Sequence, residues 1–372
     1  MLAARRSGAL YGQIRFASSG GRPELLTILP TKRSLNRFLF DFDSRLPYKK
    51  VLPILQTVYD NLDTPQDIKL PKSVRGSDLM IQKHILAAVR TKTNTMNRNL
   101  VELENELVEQ AAELGDNDAI TILAFEALES GNKEDFAYAQ KLVKELVEKK
   151  HPLVFKLAGD VAFKKAQYHN AAEYWTQFLQ YESDTVMASQ VCSNLGVYYF
   201  SHLQPKPDLS KARQYFEQSV QIGELDKYTV IAHYYLGQLF STTNPEVARY
   251  HLEIAASQAL KESFATLGFL EMNTFNQYYK AIEWFQLGAE MSGDLMCIMG
   301  QFDCYVAVKD TTNAEKILDR LIGISDKIQE VRGKKMVPKS QEVRHTMELN
   351  ESLLKMFFST RAKDIAALEN SE

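Results

Sequence analysis

Small and large apolar residues recur along the second half of the chain with the period of a helical hairpin. A glycine, usually after Leu or Met, is followed 11 to 16 residues later by an alanine. The pairs are Gly159 with Ala172, Gly196 with Ala212, Gly237 with Ala248, Gly268 with Ala281, and Gly300 with Ala314. Successive glycines are 37, 41, 31 and 32 residues apart. Such periods are typical of stacked antiparallel helix pairs, because one pair cannot bury its own apolar face. The pattern therefore predicts an all-α fold, an α-solenoid.

Large side chains follow each alanine at a distance of three or four residues, which places them on one helical face. They are Trp175, Tyr215 and Phe216, His251 and Leu252, Trp284 and Phe285, and Ile317 and Leu318. Two helix backbones approach closely only where one of them carries a small residue at the crossing. We therefore expect each glycine to lie at a close helix crossing and the large residues to form the core.

A resemblance to a known repeat family rests on these same positions. An aromatic residue at the fourth place after the alanine and a small residue at the seventh (Ser219, Ala255, Gly288) resemble tetratricopeptide and Sel1-like repeats, over about residues 119–325. The run from Tyr278 to Phe285 and the irregular period favour the Sel1-like variant. This resemblance implies stacked hairpins that bind other proteins. The first unit, 119–150, lacks the glycine.

The remaining sequence predicts a helical cap on each side of the array. Six of the 11 prolines lie between Pro23 and Pro71, so we expect no long helix before about Ser77. Apolar residues then recur at helical spacing as far as Leu114. After the array we expect a basic linker and one closing helix over 340–368. Its predicted buried side consists of Val343, Met347, Leu354, Phe357 and Phe358.

These features divide the chain into five predicted segments. Residues 1–22 form a presequence, 23–118 a Pro-rich segment and N-terminal helical cap, and 119–325 the repeat array. Residues 326–339 form the basic linker, and 340–372 the C-terminal closing helix and tail.

The first residues have the composition of a mitochondrial targeting signal. Four arginines occur there with several serines, and no Asp or Glu precedes Glu24. Arginine-rich, serine-containing and acid-free N-termini are typical of mitochondrial presequences, whereas secretory signals need an uninterrupted apolar run. We expect cleavage near Ala17. A disordered basic tail is the alternative.

The sequence offers no catalytic or cofactor-binding motif. A glycine-rich phosphate loop, a His-Glu-x-x-His motif, a Gly-x-Ser-x-Gly motif and paired Cys-x-x-Cys are all absent. Cys192, Cys297 and Cys304 lack the spacing of metal ligands, and we expect buried thiols. His233 falls where repeat helices place a core residue. We therefore predict a protein that is not an enzyme and needs no cofactor.

Two classes of binding protein remain. One is a protein-binding scaffold, because curved helical arrays bind extended or helical partner segments. The other is an organellar helical-repeat protein that binds RNA. Residues 151–325 contain 13 Lys and Arg against 19 Asp and Glu, and phosphates require the opposite balance. The charge therefore favours a protein client and disfavours nucleic acid.

Two surfaces are predicted to make contacts with partners. By analogy with tetratricopeptide arrays, first-helix residues beside each glycine line the binding groove. They are Lys156, Asp160, Asn194, Val197, Tyr234, Gln238, Thr266 and Phe269. The second surface is basic: six Lys and Arg against two Glu between 327 and 344, among them Lys334, Lys335 and Lys339. Such a segment can hold a protein peripherally on an anionic membrane, although a solvated linker is the alternative.

The overall architecture also resembles the fungal mitochondrial factors that export the C-terminal domain of cytochrome c oxidase subunit 2. The presequence, the irregular repeats and the length of 372 residues carry this resemblance. It implies a matrix protein peripherally associated with the inner membrane. The implied partners are cytochrome c oxidase subunit 2 and the membrane insertase, during assembly of complex IV.

Overall fold

The computed structural model describes residues 22–93, 96–130, 133–333 and 340–369. Within these ranges the regular structure is entirely helical, with 19 α-helices and two short helical turns of other types. The all-α repeat fold predicted from the sequence is thereby confirmed. The chain divides into two compact units, with unit 1 ending at Tyr181 and unit 2 beginning at Glu182.

Unit 1 begins with a helical cap and continues with two hairpins. The cap contains α1 (Leu25–Ile28), α2 (Lys32–Asp41), α3 (Tyr48–Asp60), α4 (Gly76–Thr93) and α5 (Arg98–Glu113). The hairpins are α6 (Asn117–Ser130) with α7 (Lys133–Glu148), and α8 (Pro152–Lys164) with α9 (Tyr168–Tyr181). In the first hairpin, which lacks the glycine, Ala124, Ala127 and Ala139 pack together and supply the small residues at the crossing.

The expectation that no long helix precedes Ser77 is wrong. Helix α3 has 13 residues and contains Pro53 in its interior. A proline there removes one backbone hydrogen bond, but Pro53 lies on the exposed side, where water reaches the freed carbonyl. The opposite side buries five large residues, Val51, Ile54, Leu55, Val58 and Tyr59. Their burial outweighs the local cost of the proline.

Unit 2 contains four hairpins and a C-terminal pair of helices. The hairpins are α10 (Val186–Val197) with α11 (Leu209–Ile222), α12 (Lys227–Phe240) with α13 (Pro245–Ser257), α14 (Lys261–Asn273) with α15 (Tyr278–Ser292), and α16 (Leu295–Ala307) with α17 (Thr311–Gly333). The C-terminal helices are α18 (Gln341–Thr360) and α19 (Ala362–Glu369). A π-helical turn, Tyr198–His202, continues α10.

The predicted close crossings at the glycines are present. A Cβ atom added at Gly196 would lie 2.4 Å from the Phe216 ring, and one at Gly268 would lie 2.3 Å from the Phe285 ring. At Gly237 the nearest atom is Leu252 Cγ, at 2.4 Å. In each case the large partner is the fourth residue after the alanine. A side chain at these glycines therefore has no room without movement of a buried neighbour.

Two of the five glycine–alanine pairs, those of Gly159 and Gly300, pack differently from the sequence prediction. Gly159 contacts Trp175, which is four residues after Ala171, so Ala171 and not Ala172 occupies the repeat position. Both alanines are buried. Gly300 contacts Phe285 of the preceding hairpin, so one buried ring separates Gly268 from Gly300.

The C-terminal region departs from the prediction in three ways. Helix α17 continues to Gly333, so the first eight residues of the predicted linker are helical. The predicted single closing helix ends at Thr360, and Arg361 separates it from α19. Of the predicted buried residues, Leu354 and Phe357 are buried, whereas Val343 is exposed. At this break the Arg361 guanidinium donates two hydrogen bonds to Asp303 of α16.

In the part of the chain that the structure describes, no helix combines the length and apolarity needed to cross a bilayer.

Candidate protein-binding surface

The first helix of each hairpin carries the residues predicted to line the groove. In unit 2 we define the first-helix surface as Asn194, Val197, Tyr234, Gln238, Thr266 and Phe269, which lie on α10, α12 and α14. All six side chains are half-buried, packed at the base and open on one side. Their position follows from the buried glycine beside each of them, which faces the second helix. The neighbouring residue on the helix is thereby turned partly away from the core.

Three of these residues, from two successive hairpins, lie together as a polar group. The Gln238 amide donates a hydrogen bond of 2.7 Å to the Tyr234 hydroxyl. Thr266 on the next first helix lies close to the same hydroxyl, while its own hydroxyl donates a hydrogen bond of 3.0 Å to the Glu262 carbonyl. Burial raises the pKa of the Tyr234 phenol, so it stays neutral at physiological pH. The hydrogen bond from Gln238 orients the phenol and the amide.

Apolar residues flank this polar group. Val197 packs against the cluster of Ala212, Phe216, Ala232 and Leu236. Phe269 meets Phe285 edge to face, with ring centroids 5.0 Å apart. Each contact uses one side of the residue and leaves the other partly exposed. The first-helix surface thus combines fixed apolar side chains with an amide, a hydroxyl and a phenol.

The two predicted groove residues of unit 1 are engaged in local contacts. Lys156 Nζ lies 2.7 Å from Asp160 Oδ2, one helical turn away. Asp160 Oδ1 also accepts a hydrogen bond of 3.1 Å from the Trp175 indole N–H. Asp160 therefore helps to hold Trp175 in place, and charge reversal at Lys156 or Asp160 would disturb packing as well as any partner contact.

Charge is nearly absent from the first helices of unit 2, all of which are described in full. Helix α10 contains no charged residue, and α12 contains only Lys227, at its first position. Helix α14 contains Lys261 and Glu262 in its first turn and Glu271, which is buried against Arg249. The single acid of α16, Asp303, is paired with Arg361. The middle of this surface therefore presents neutral groups.

The three thiols of unit 2 are buried, and two of its imidazoles, His233 and His251, are half-buried against each other. Burial raises the pKa of Cys192, Cys297 and Cys304 to about 12, so all three remain protonated. His233 Nδ1 lies 2.8 Å from His251 Nδ1, and burial lowers the pKa of His233 to about 4. One neutral ring donates to the other. Across the described ranges, no three His, Cys, Asp or Glu side chains are arranged to hold a metal ion.

The predicted membrane-contact residues Lys334, Lys335 and Lys339 lie outside the described residues, as does the presequence up to residue 21. Arg22 is described, and its guanidinium lies 2.8 Å from Asp63 Oδ1.

Comparison with known proteins gives different matches for the N-terminal cap and for the repeats. Residues 21–116 match the MSS2 N-terminal domain, and the Sel1 repeat matches residues 189–223, 230–260 and 273–292. Over 303 residues the chain is 34% identical to "Protein MSS2, mitochondrial" of Saccharomyces cerevisiae, covering 78% of this chain and 85% of that protein. The chain belongs to the MSS2 family. The resemblance to Sel1-like repeats and to a protein of the MSS2 type is thereby confirmed.

Two solved structures are more distantly similar to this MSS2 family member. A Sel1 repeat protein from Oxalobacter formigenes is 14% identical, with a TM-score of 0.44 over 70% of this chain and 99% of that chain. The type IV pilus biogenesis factor PilW is 16% identical, with a TM-score of 0.39 over 62% of this chain and 98% of that chain.

Sequence reasoning identified the first-helix surface but missed two of its properties. Tyr234 and Thr266 lie close together although they are 32 positions apart in the sequence, and the irregular repeat length hides that register. The neutrality of the surface is visible in the sequence only when helix boundaries are known. The acidic balance of residues 151–325 covers both helices of each hairpin and does not show the difference between them.

Proposed function

We propose that this chain is a non-enzymatic mitochondrial scaffold that binds a protein client on the first-helix surface of unit 2. Its role is to assist the assembly of an inner-membrane respiratory complex or the export of part of it. By membership of the MSS2 family and by the architecture described above, the proposed client is the C-terminal domain of cytochrome c oxidase subunit 2, during complex IV assembly. The membrane insertase is the proposed second partner.

One observation carries the client-binding part of the proposal. Tyr234 and Gln238 are joined by a hydrogen bond, and with the nearby Thr266 they offer a phenol, an amide and a hydroxyl, while the flanking first helices supply the apolar Val197 and Phe269. Neutral polar groups can bond the main chain of an extended segment, and flanking apolar groups can hold its side chains. Aromatic side chains such as Tyr234 often dominate binding energy.

The near absence of basic residues from the first helices argues against the RNA-binding alternative. Helices α10, α12, α14 and α16 supply two Lys and no Arg, each Lys at the first residue of its helix. Backbone phosphates require several basic side chains along the binding surface. A strand of RNA on this surface would leave its phosphates without counter-charges.

The proposed location is the matrix, with peripheral association to the inner membrane. The yeast relative is named as mitochondrial, and the arginine-rich start of this chain has presequence composition. The basic segment containing Lys334, Lys335 and Lys339 is one proposed source of membrane attachment. Deletion of residues 1–22 should leave the protein in the cytosol. N-terminal sequencing of the mitochondrial form should begin near residue 18, and an intact Met1 would contradict cleavage.

Capture of a client by the purified protein tests the proposed surface. The variant Tyr234→Ala with Gln238→Ala removes the phenol and amide without touching a fully buried residue. We expect it to lose co-purification of the client from solubilised mitochondrial membranes, identified by mass spectrometry. Retention of the far-UV circular dichroism spectrum would show that the fold is intact.

A matched control lies on the second helix of the same hairpin. Tyr250 on α13 is 61% exposed, and Tyr250→Ala removes an equally large ring from a different surface. We expect this control to capture the client normally. Equal capture by Tyr234→Ala with Gln238→Ala and by Tyr250→Ala would place the binding site elsewhere.

A further inference from the structure

Helix α2 in the N-terminal cap presents an exposed face of unusual composition. Leu35 and Leu39 are buried against the rest of the cap. The opposite face carries Arg33, Arg37 and Phe40, at positions i, i+4 and i+7, which align on one side of a helix. We call these three residues the α2 face. The Sel1 repeats do not account for it, because it lies within the MSS2 N-terminal domain.

Phe40 is the feature of this face that most needs an explanation. Its side chain is 84% exposed, although it belongs to a helix whose other large apolar residues are buried or half-buried. A scattered exposed apolar residue is ordinary, but this one lies on the same helical face as two arginines. Aromatic rings beside basic side chains are typical of surfaces that enter the boundary between water and lipid.

The surroundings of the α2 face are basic. Between residues 31 and 50 there are six Lys and Arg against two Asp. Lys32, Lys49 and Lys50 are exposed at the starts of α2 and α3. Arg45 is paired with Asp78, whereas the one ion pair of Arg37 with a described residue is a long, exposed contact with Asp41, at 3.8 Å. Such a contact is weak in water and leaves the arginine available for an anionic surface.

The size and shape of this face favour a membrane over a folded protein. A helix of 10 residues is about 15 Å long and about 10 Å wide, so one face covers a few hundred Å² at most. A stable protein interface buries about 800 Å² on each partner. A bilayer needs no matching pocket, because headgroups adapt to basic side chains and the interfacial layer accepts an aromatic ring.

We propose that the α2 face binds the surface of an anionic bilayer, with Phe40 inserted among the headgroups and Arg33 and Arg37 contacting lipid phosphates. Lys32, Lys49 and Lys50 add attraction at longer range. This inference extends the peripheral location in the proposed function to a second surface. It is independent of client binding on unit 2 and of the basic segment near Lys334.

Sedimentation with lipid vesicles tests the proposal. The chain is prepared from residue 18 onward, because the basic presequence would itself bind lipid, and the full chain is measured in parallel. Vesicles of phosphatidylcholine alone are compared with vesicles containing about one fifth cardiolipin, which is anionic. We expect binding to the anionic vesicles only, and a bound fraction that falls as salt is raised.

Two variants of the α2 face and two controls on α7 complete the experiment. The variant Arg33→Glu with Arg37→Glu should lower the partition coefficient roughly thirty-fold or more, and Phe40→Ala roughly five- to tenfold. Lys141→Glu with Lys144→Glu produces the same net charge on another exposed helix, and Tyr138→Ala removes another exposed ring. Both controls should bind as the unsubstituted chain does.

Three outcomes would overturn the inference. One is that the α2 variants bind anionic vesicles as strongly as their controls do. Another is loss of binding only when Lys334, Lys335 and Lys339 are changed to Glu, which would place attachment in the basic segment and leave that part of the proposed function standing. The third is binding to polyglutamate but not to anionic vesicles, which would indicate an acidic protein partner. Client capture through Tyr234 is measured separately and survives any of these results.

Discussion

The substitution Gly268→Ala tests the packing at the centre of the repeat. The added Cβ would lie 2.3 Å from Phe285 Cε1, whereas nonbonded carbon atoms normally lie about 3.5 to 4.0 Å apart. Phe285 must therefore move by more than about 1 Å. Its ring is fully buried, and it also lies against Gly300, where an added Cβ would be 2.4 Å away. Any movement of the ring therefore disturbs packing around it.

The expected loss in the free energy of unfolding is obtained by comparison with the same substitution at a second helical glycine. Gly323 lies inside α17, and a Cβ added there meets nothing within 4 Å. Replacement of either glycine by Ala gains about 1 kcal/mol from helix propensity. Overpacking at Gly268 costs about 1 to 3 kcal/mol. The free energy of unfolding should thus be lower for Gly268→Ala than for Gly323→Ala by about 1 to 3 kcal/mol, because the propensity gain cancels.

Urea denaturation followed by far-UV circular dichroism measures this difference. The double variant Gly268→Ala with Phe285→Leu should be more stable than the sum of the two single changes predicts, because the smaller side chain removes the clash. Equal stabilities of Gly268→Ala and Gly323→Ala would refute the close crossing. So would strict additivity of Gly268→Ala and Phe285→Leu.

Two further predictions concern buried ionisable groups. Glu271 is fully buried, its carboxylate 2.8 Å from Arg249 Nε and 3.0 Å from Lys280 Nζ. Glu271→Ala removes both pairs but leaves Arg249 with Glu246 and Lys280 with Glu253, so it should cost about 1 to 3 kcal/mol in urea denaturation. A loss below about 0.5 kcal/mol would show that the pairs with Glu271 contribute little. Because the pKa of His233 is lowered to about 4 in the folded state, the unfolded chain binds a proton first as the pH falls. The free energy of unfolding should therefore fall by up to about 3 kcal/mol between about pH 6.5 and pH 4, and by less in His233→Gln; identical pH profiles for the two proteins would contradict this.

The repeat was predictable because its signal is local and periodic. The sequence pairs Gly268 with Ala281 at a close crossing and places Phe285 in the core, and in the structure the Phe285 ring lies against Gly268. The register at Ala171 and Ala172 was ambiguous because both residues are alanine, so only packing of Trp175 decides between them. Pro53 was misjudged for a different reason. Its own helix preference is poor, and the burial that overrides it depends on the whole cap.

Features formed by distant residues were not predictable from one sequence. At the break between α18 and α19, Arg361 bonds to Asp303, 58 residues earlier. The buried position of Glu271 depends on Arg249 and Lys280, which lie on the two neighbouring helices α13 and α15. For the candidate site, analogy with tetratricopeptide arrays named Tyr234, and only the structure placed its hydroxyl against a second hairpin.

Site-specific photo-crosslinking in intact mitochondria tests the central claim of client binding most directly. A photoreactive phenylalanine is placed at position 234 on the first-helix surface and, in a matched protein, at exposed position 250 on α13. We predict a crosslinked inner-membrane protein from position 234 only, with the attachment point in a segment on the matrix side. Crosslinks of equal yield from both positions, or from position 250 alone, would contradict client binding on this surface.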